Sequence, residues 1–235
     1  MKDLIIVRGG GDLATGTIYK LYKCGFSVLI LEVANPSAIR RNVAFSEAVY
    51  EGTQTVEDVT CYYASSVEEA KKLLEERKLV VLVDPEGEAI TKLKPSVVVD
   101  AILAKKNLGT NKNLAPIIIA LGPGFEAGVD VDAVIETKRG HNLGRVLWQG
   151  CAIPNTGIPG IIGGYGKERV IHSPAEGILR NVSKITDTVN KGQEIAVIET
   201  ENGVLPVVAT IDGLLRGLIR DGYPVIKGFK MPMQM

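Results

Sequence analysis

The chain has 235 residues, and its 27 Lys and Arg are matched by 27 Asp and Glu, so no surplus of basic charge points to nucleic acid or to an anionic membrane surface. Three widely spaced cysteines, Cys24, Cys61 and Cys151, argue against a disulfide framework or a structural zinc site. No apolar run approaches the ~20 residues of a membrane span, and a strand-like run starts within three residues of Met1, leaving no room for a leader peptide. The expectation is a cytoplasmic globular protein of one or two domains, with no nucleic-acid or membrane partner.

The apolar run 4–7 enters Arg8-Gly9-Gly10-Gly11-Asp12-Leu13-Ala14, and a helical pattern follows over Leu13–Lys23. Gly9, Gly11 and Ala14 fit the G-x-G-x-x-A form of the dinucleotide fingerprint. Small residues there make a tight turn, admit a pyrophosphate to the backbone and let helix and strand lie close, while the helix N-terminus offers positive partial charge. A second strand, Ser27–Glu32, ends on a carboxylate 23 positions beyond Gly9, near the spacing expected for a ribose-binding acid. The glycines serve equally a fold that needs them for packing alone. Arg40 and Arg41 suit a 2′-phosphate or a solvated loop, and the loop is the reading preferred.

The α/β pattern continues through β-rich Val59–Ala64, a helix over Val67–Arg77 and short apolar strands at Leu79–Val83, Val97–Ala101 and Ile117–Leu121. This predicts a Rossmann-like, mostly parallel, doubly wound sheet. Ligands of such sheets sit beyond the carboxyl ends of the strands. The candidate rim therefore comprises Gly9, Gly10, Gly11, Asp12, Leu13, Ala14, Glu32, Asp84, Asp100, Gly122 and Gly124. Asp100 reads as a ligand contact or as a cap, and Lys105-Lys106 as a site for phosphate or carboxylate or as solvated surface.

After the strand-like 131–135 comes the polar cluster Glu136–Arg145, where Glu136, Arg139 and His141 are candidates for acid–base and anion-binding chemistry. A basic loop with a solvated histidine is the plainer alternative. The stretch 150–166 is dense in Gly and Pro and reads as neither helix nor strand: a binding loop carrying Asn155 and Thr156, or a linker. Cys151 reads as a small filler more readily than as a reactive thiol.

From about His172 an internal duplication appears under one shift of 36 residues, aligning Gly177 with Gly213, Leu179 with Leu215, Val189 with Val225 and Gly192 with Gly228. Two copies of short β segments suit a sandwich in which each half covers the other's apolar face. The expected domains are 1–168, with a linker at 150–168, and 169–235.

The second domain resembles the biotinyl/lipoyl-like barrel-sandwich-hybrid family through Pro174-Ala175-Glu176-Gly177, Val189-Asn190-Lys191-Gly192-Gln193 and Ile198-Glu199. Carrier members present a modified lysine on a central hairpin. The matching stretch 200–206 holds no lysine, so covalent biotin or lipoate is not expected.

Along nearly its whole length the chain resembles the YqeB-like family. The similarity rests on residues 8–16, Asp100-Ala101 with 104–107, residues 121–125, Val134-Ile135-Glu136-Thr137, Arg139-Gly140-His141, Leu143-Gly144-Arg145 and Pro154-Asn155-Thr156-Gly157 with Pro159-Gly160. The resemblance implies an accessory role in maturing selenium-dependent molybdenum hydroxylases, with such an enzyme as client. The ending 231–235 looks short for that family. Three readings follow: a factor binding a nucleotide-type ligand such as molybdopterin dinucleotide or NAD(P), an NAD(P)-dependent oxidoreductase, or a ligand-free scaffold. Oligomeric state is open, a homo-oligomer included.

Overall fold

The computed structural model describes residues 3–157 and 160–234, apart from the side chain of Met233. Met1 and Lys2, Ile158 and Pro159 of the Gly/Pro-rich loop, and the terminal Met235 lie outside the described residues. The chain forms two compact units, Met1–Pro36 with Asn42–Thr156, and Ser37–Arg41 with Gly157–Met235.

In the first unit, β1 (Leu4–Arg8), α1 (Asp12–Lys23) and β2 (Ser27–Glu32) follow one another as their apolar runs predict. Then come the short α2 (Ala48–Glu51), the hairpin β3 (Thr53–Val56) and β4 (Val59–Ala64), and α3 (Val67–Glu75). Ser66 caps α3 by accepting from the Glu69 amide, and Glu69 returns a bond to the Ser65 amide. Next are β5 (Leu79–Val83), α4 (Glu88–Leu93), β6 (Val97–Asp100) and β7 (Ile117–Leu121). Four short strands close the unit: β8 (Glu126–Ala127), β9 (Ala133–Ile135), β10 (Val146–Leu147) and β11 (Gly150–Cys151).

Nine strands make one sheet in the order β10-β9-β7-β6-β1-β2-β5-β4-β3, and β8 pairs with β11 separately. The pairs from β9 to β4 are parallel, while β10 and β3 run antiparallel at the two edges. This corrects the expectation of a Rossmann-like, doubly wound sheet. The sheet is mixed, and the described connections β6–β7 and β7–β9 carry no helix. Their sequences explain it, since 101–116 and 122–132 are broken by Gly, Pro and Asn and offer no helical apolar stripe. The predicted irregular loop at 150 also begins with strand β11.

Apolar residues alternate between the two faces of the central strands. Leu4, Ile6, Leu29 and Leu31 pack with Leu74 of α3 and Ile90 of α4. Ile5, Val7, Val28 and Ile30 pack with Ile18 of α1 and with Phe45.

At the carboxyl end of the sheet, Arg8 and Asp100 are register partners on β1 and β6 and are almost wholly buried. Arg8 Nη1 donates to Thr110 Oγ1 (2.6 Å) and lies 3.9 Å from Asp100 Oδ2. The Thr110 hydroxyl donates to that same oxygen at 2.5 Å. Arg8 Nη2 reaches the carbonyls of Pro85 and Leu108, both at 3.3 Å. Asp84, placed on the rim by sequence, instead caps α4, accepting from the amides of Gly87, Glu88 and Ala89.

The second unit corrects the expectation of a small all-β barrel-sandwich-hybrid domain. Its strands are β12 (Val170–His172), β13 (Gly177–Asn181), β14 (Thr188–Val189), β15 (Glu194–Thr200), β16 (Gly203–Val208), β17 (Gly213–Gly217), β18 (Pro224–Val225) and β19 (Lys230–Gln234). They form two four-stranded sheets, β12-β19-β17-β14 and β16-β15-β13-β18, each with open edges, around one shared core. The duplication is visible as reciprocal exchange. Gly177 of β13 pairs with Val225 of β18, and Val189 of β14 pairs with Gly213 of β17. The turns match too, the Gly192 amide donating to Ala209 O and the Gly228 amide to Ser173 O, each at 2.8 Å. Ser37–Arg41 joins this unit: Ile39 O accepts from the Leu218 amide and Arg41 Nε donates to Leu218 O, which answers the cofactor-or-loop question for Arg41 in favour of a structural contact.

Thr110→Val keeps the side-chain shape but removes the hydroxyl that joins Arg8 to Asp100. It should cost about 1–3 kcal/mol in urea unfolding, the usual penalty for leaving buried polar groups short of a partner.

Candidate functional site

The turn after β1 is built by different demands at each glycine. Gly9 has φ +93°, and a Cβ there would lie 2.9 Å from Ala101 O and from Ile102 Cα, so the exit of β6 presses on it. The Gly10 amide donates to Glu32 Oε2 at 2.8 Å, and its carbonyl accepts from the Ser46 amide at 2.9 Å. Thr15 Oγ1 braces the turn from within the helix, donating to Gly11 O and accepting from the Phe45 amide. Gly11 is unlike the other two. Its φ of −64° suits any residue, and nothing lies within 4 Å of the position a Cβ would take. Helix α1 starts there without a side-chain cap. Of the predicted set, Gly9, Gly10 and Ala14 are packed inward, whereas Gly11, Asp12 and Leu13 reach the surface.

Glu32 does sit against this turn. Burial pushes its carboxyl above the ordinary glutamate value, and bonds from the Val33 and Gly10 amides oppose that rise. Each carboxylate oxygen receives one backbone amide, Oε1 from Val33 and Oε2 from Gly10. A carboxylate offers about four lone-pair sites, so acceptor capacity is left over. Asp100 is committed to the Arg8–Thr110 network and to the Ile102 amide at 3.2 Å, which makes it a brace beneath the rim.

Further along the rim, a Cβ on Gly122 would lie 2.6 Å from Thr137 Oγ1, and one on Gly124 2.7 Å from the Lys106 amide nitrogen. These approaches pull the exits of β6, β7 and β9 together. Asn107 closes the connecting loop, its Oδ1 accepting from the amides of Gly109 and Thr110.

The proposed acid–base cluster is not assembled as such. Glu136 is buried, and its carboxylate accepts from the Lys138 amide (2.7 Å) and the Ile153 amide (2.8 Å). Burial alone would raise its pKa, but amide bonds from Ile153, Lys138 and Thr137, with the Lys138 charge, outweigh that and hold it low. It is an ionised acceptor that pins the 150s segment to β9. Arg139 and His141 lie exposed in the loop between β9 and β10. Asn155 lines a groove with Gly124, and Thr156 is exposed at the end of the unit. Sequence reasoning missed Thr110 as the bridge between Arg8 and Asp100; a lone threonine in a polar loop gives no local signal.

No protein-family model matches the chain. It is 50% identical over 229 residues to the uncharacterized protein YqeB of Escherichia coli K12, an alignment covering 97% of this chain and 42% of that protein. The YqeB-like relationship expected from the motifs is thus supported, and the chain spans less than half the length of this curated relative. Among solved structures, it matches an aspartoacylase-family protein of Mesorhizobium loti at 12% identity and TM-score 0.33, covering 100% of this chain and 85% of that one. A succinylglutamate desuccinylase/aspartoacylase of Rhodobacter sphaeroides matches at 12% identity and TM-score 0.31, covering 98% and 86%. Likenesses this slight carry no argument about activity.

Two outcomes are expected from this geometry. Gly9→Ala should lose about 1–3 kcal/mol, because φ is positive and backbone stands in the way, whereas Gly11→Ala should stay within about 0.5 kcal/mol of wild type; denaturant titration of both separates them. Glu136→Gln should cost about 1–3 kcal/mol at neutral pH. Because the folded pKa is depressed, the native carboxylate's contribution is full above the ordinary glutamate value and is lost as pH falls through the folded one. The variant should therefore lose less stability than wild type as pH falls below the ordinary glutamate value.

Proposed function

We propose that this chain is an accessory protein that binds a nucleotide-type ligand at the turn from Gly9 to Ala14. The observation that carries the reading is the open space at Gly11, where a half-buried backbone turn enters a helix that starts without a side-chain cap. Amides at such a terminus favour an anion, and the residual acceptor capacity of Glu32 suits ribose hydroxyls. A dinucleotide such as NAD(P) or molybdopterin dinucleotide matches both features. The context proposed with it is the one that the motif resemblance to the YqeB-like family implies, maturation of selenium-dependent molybdenum hydroxylases with the client enzyme as protein partner.

Binding without turnover is preferred to an NAD(P)-dependent oxidoreductase. Glu136, the residue suggested as proton donor, is held ionised by backbone amides, and His141 stands in an exposed loop. A ligand-free scaffold leaves the open space at Gly11 without use.

The test is thermal unfolding with NAD(H), NADP(H), ATP, CTP and molybdopterin dinucleotide in turn. A ligand at ~100 times its dissociation constant adds about 2.7 kcal/mol, which raises the midpoint by roughly 5–10 °C for a chain of this size. The shift should be selective and should vanish in Gly11→Val, whose own melting temperature stays near wild type. A folded protein unmoved by every member of the panel would refute the reading.

A further inference from the structure

A groove of about 550 Å³ opens in the first unit, walled by Lys105, Gly124, Glu126, Asp130, Cys151 and Asn155. It is separate from the glycine turn. Its floor residues Phe125 and Ala152 belong to the core layer shared with α3 and α4, whereas α1 packs on the opposite face of the sheet. A cavity of this size holds a small metabolite.

The backbone here is set against local preference. Lys105 has φ +63° and Leu103, two residues earlier, has φ +59°. Side-chain-bearing residues seldom occupy that region, and they persist where surrounding structure over-determines them. Gly124, with its own φ of +114°, lets the chain at Lys106 approach within Cβ-clashing distance and so fixes the loop from one side. The Asp100–Thr110 bond fixes it from the other. Glycine would satisfy this backbone with less strain.

The charges on the walls are kept apart. Lys105 is exposed and takes part in none of the ion pairs seen among the described residues. Glu126 and Asp130 line the same groove, and Asp130 Oδ2 accepts from the Glu126 amide at 2.9 Å, which fixes the acidic side. Neither carboxylate pairs with the lysine. Separated opposite charges within one concavity suit a ligand that carries both signs itself.

We propose that this groove binds a small dipolar metabolite of the amino-acid class, its anionic group on Lys105 and its cationic group on Glu126 and Asp130. Asn155 adds an amide that can donate or accept. The site stands whether or not the glycine turn binds a nucleotide.

Cys151 supplies the readout, because its exposed thiol lies on the wall. Cys61 is buried and Cys24 is exposed, so Cys24→Ser leaves Cys151 as the one exposed cysteine. Alkylation of Cys151 by iodoacetamide, followed by intact mass, is measured with each of the common L-amino acids except cysteine, whose own thiol would consume the reagent, at millimolar concentration and with inorganic phosphate as an anion lacking the cationic end. A probe at about ten times its dissociation constant leaves about a tenth of the sites open, so alkylation should slow about tenfold and saturably. Lys105→Gly should abolish that protection while melting no lower than its parent, and Glu126→Gln should weaken it. Gly11→Val should leave it intact, which keeps this test independent of the nucleotide reading. The proposal is overturned if no amino acid protects saturably, if phosphate protects equally well, or if Lys105→Gly remains protected.

Discussion

The first unit depends on one buried pair of charges. Arg8 and Asp100 end adjacent parallel strands, and neither could be buried alone without a large desolvation cost. Thr110 answers this by returning from the following loop to bond both. The guanidinium also donates from Nη2 to the carbonyls of Pro85 and Leu108, which ties the exits of β5 and β6 to β1. Pairs of this kind add little net stability over an apolar equivalent. What they impose is geometry. The chain at 101–110 cannot relax away from the rim without stranding a charge, and that constraint holds Ala101 and Ile102 against Gly9 and carries Lys105 and Lys106 to Gly124.

Two glutamates show how burial and backbone amides compete. Glu32 and Glu136 each accept main-chain N–H bonds, yet their acidities move in opposite directions. At Glu32 burial prevails over two amides. At Glu136 three amides and a neighbouring lysine prevail over burial. A glutamate whose charge is already satisfied serves as a fixed acceptor, whereas one held with its charge under-compensated gains from a donor brought by a ligand. That difference, rather than position in the sequence, separates a structural pin from a candidate contact.

The sequence makes the strands of the parallel core readable because each is a short apolar run bounded by breakers. The helices α1 and α3 are readable from their helical pattern, and the 36-residue shift marks the duplication that the pairing of β13 with β18 and of β17 with β14 displays. The overall winding is misread. Helices between early strands suggest that the pattern continues, but 101–116 and 122–132 lack an apolar stripe and fold as loops braced by long-range bonds. The role of Glu136 is misread for a related reason. Its partners are amides, which every residue carries, so no side-chain motif marks them. Ser37–Arg41 is invisible to any contiguous division of the chain, since its place is set by backbone bonds to Leu218.

The exchange of strands in the second unit has an energetic consequence. Within either repeat alone, one strand would keep a single partner, because β13 finds β18 and β17 finds β14 only in the other copy, while β15 and β19 pair with them from within their own. Gly177 is required where backbone approaches closely, because a Cβ there would collide with Glu199 O. Neither repeat can bury its apolar face by itself, so the unit must fold cooperatively over its full length. The hairpin 200–203 then projects from a body whose register is fixed on both sides. It carries Thr200, Glu201 and Asn202, so what this unit presents at the tip is an acidic, hydrogen-bonding turn rather than an amine. The candidate contacts of the first unit, by contrast, lie along the rim that Arg8 and Asp100 brace.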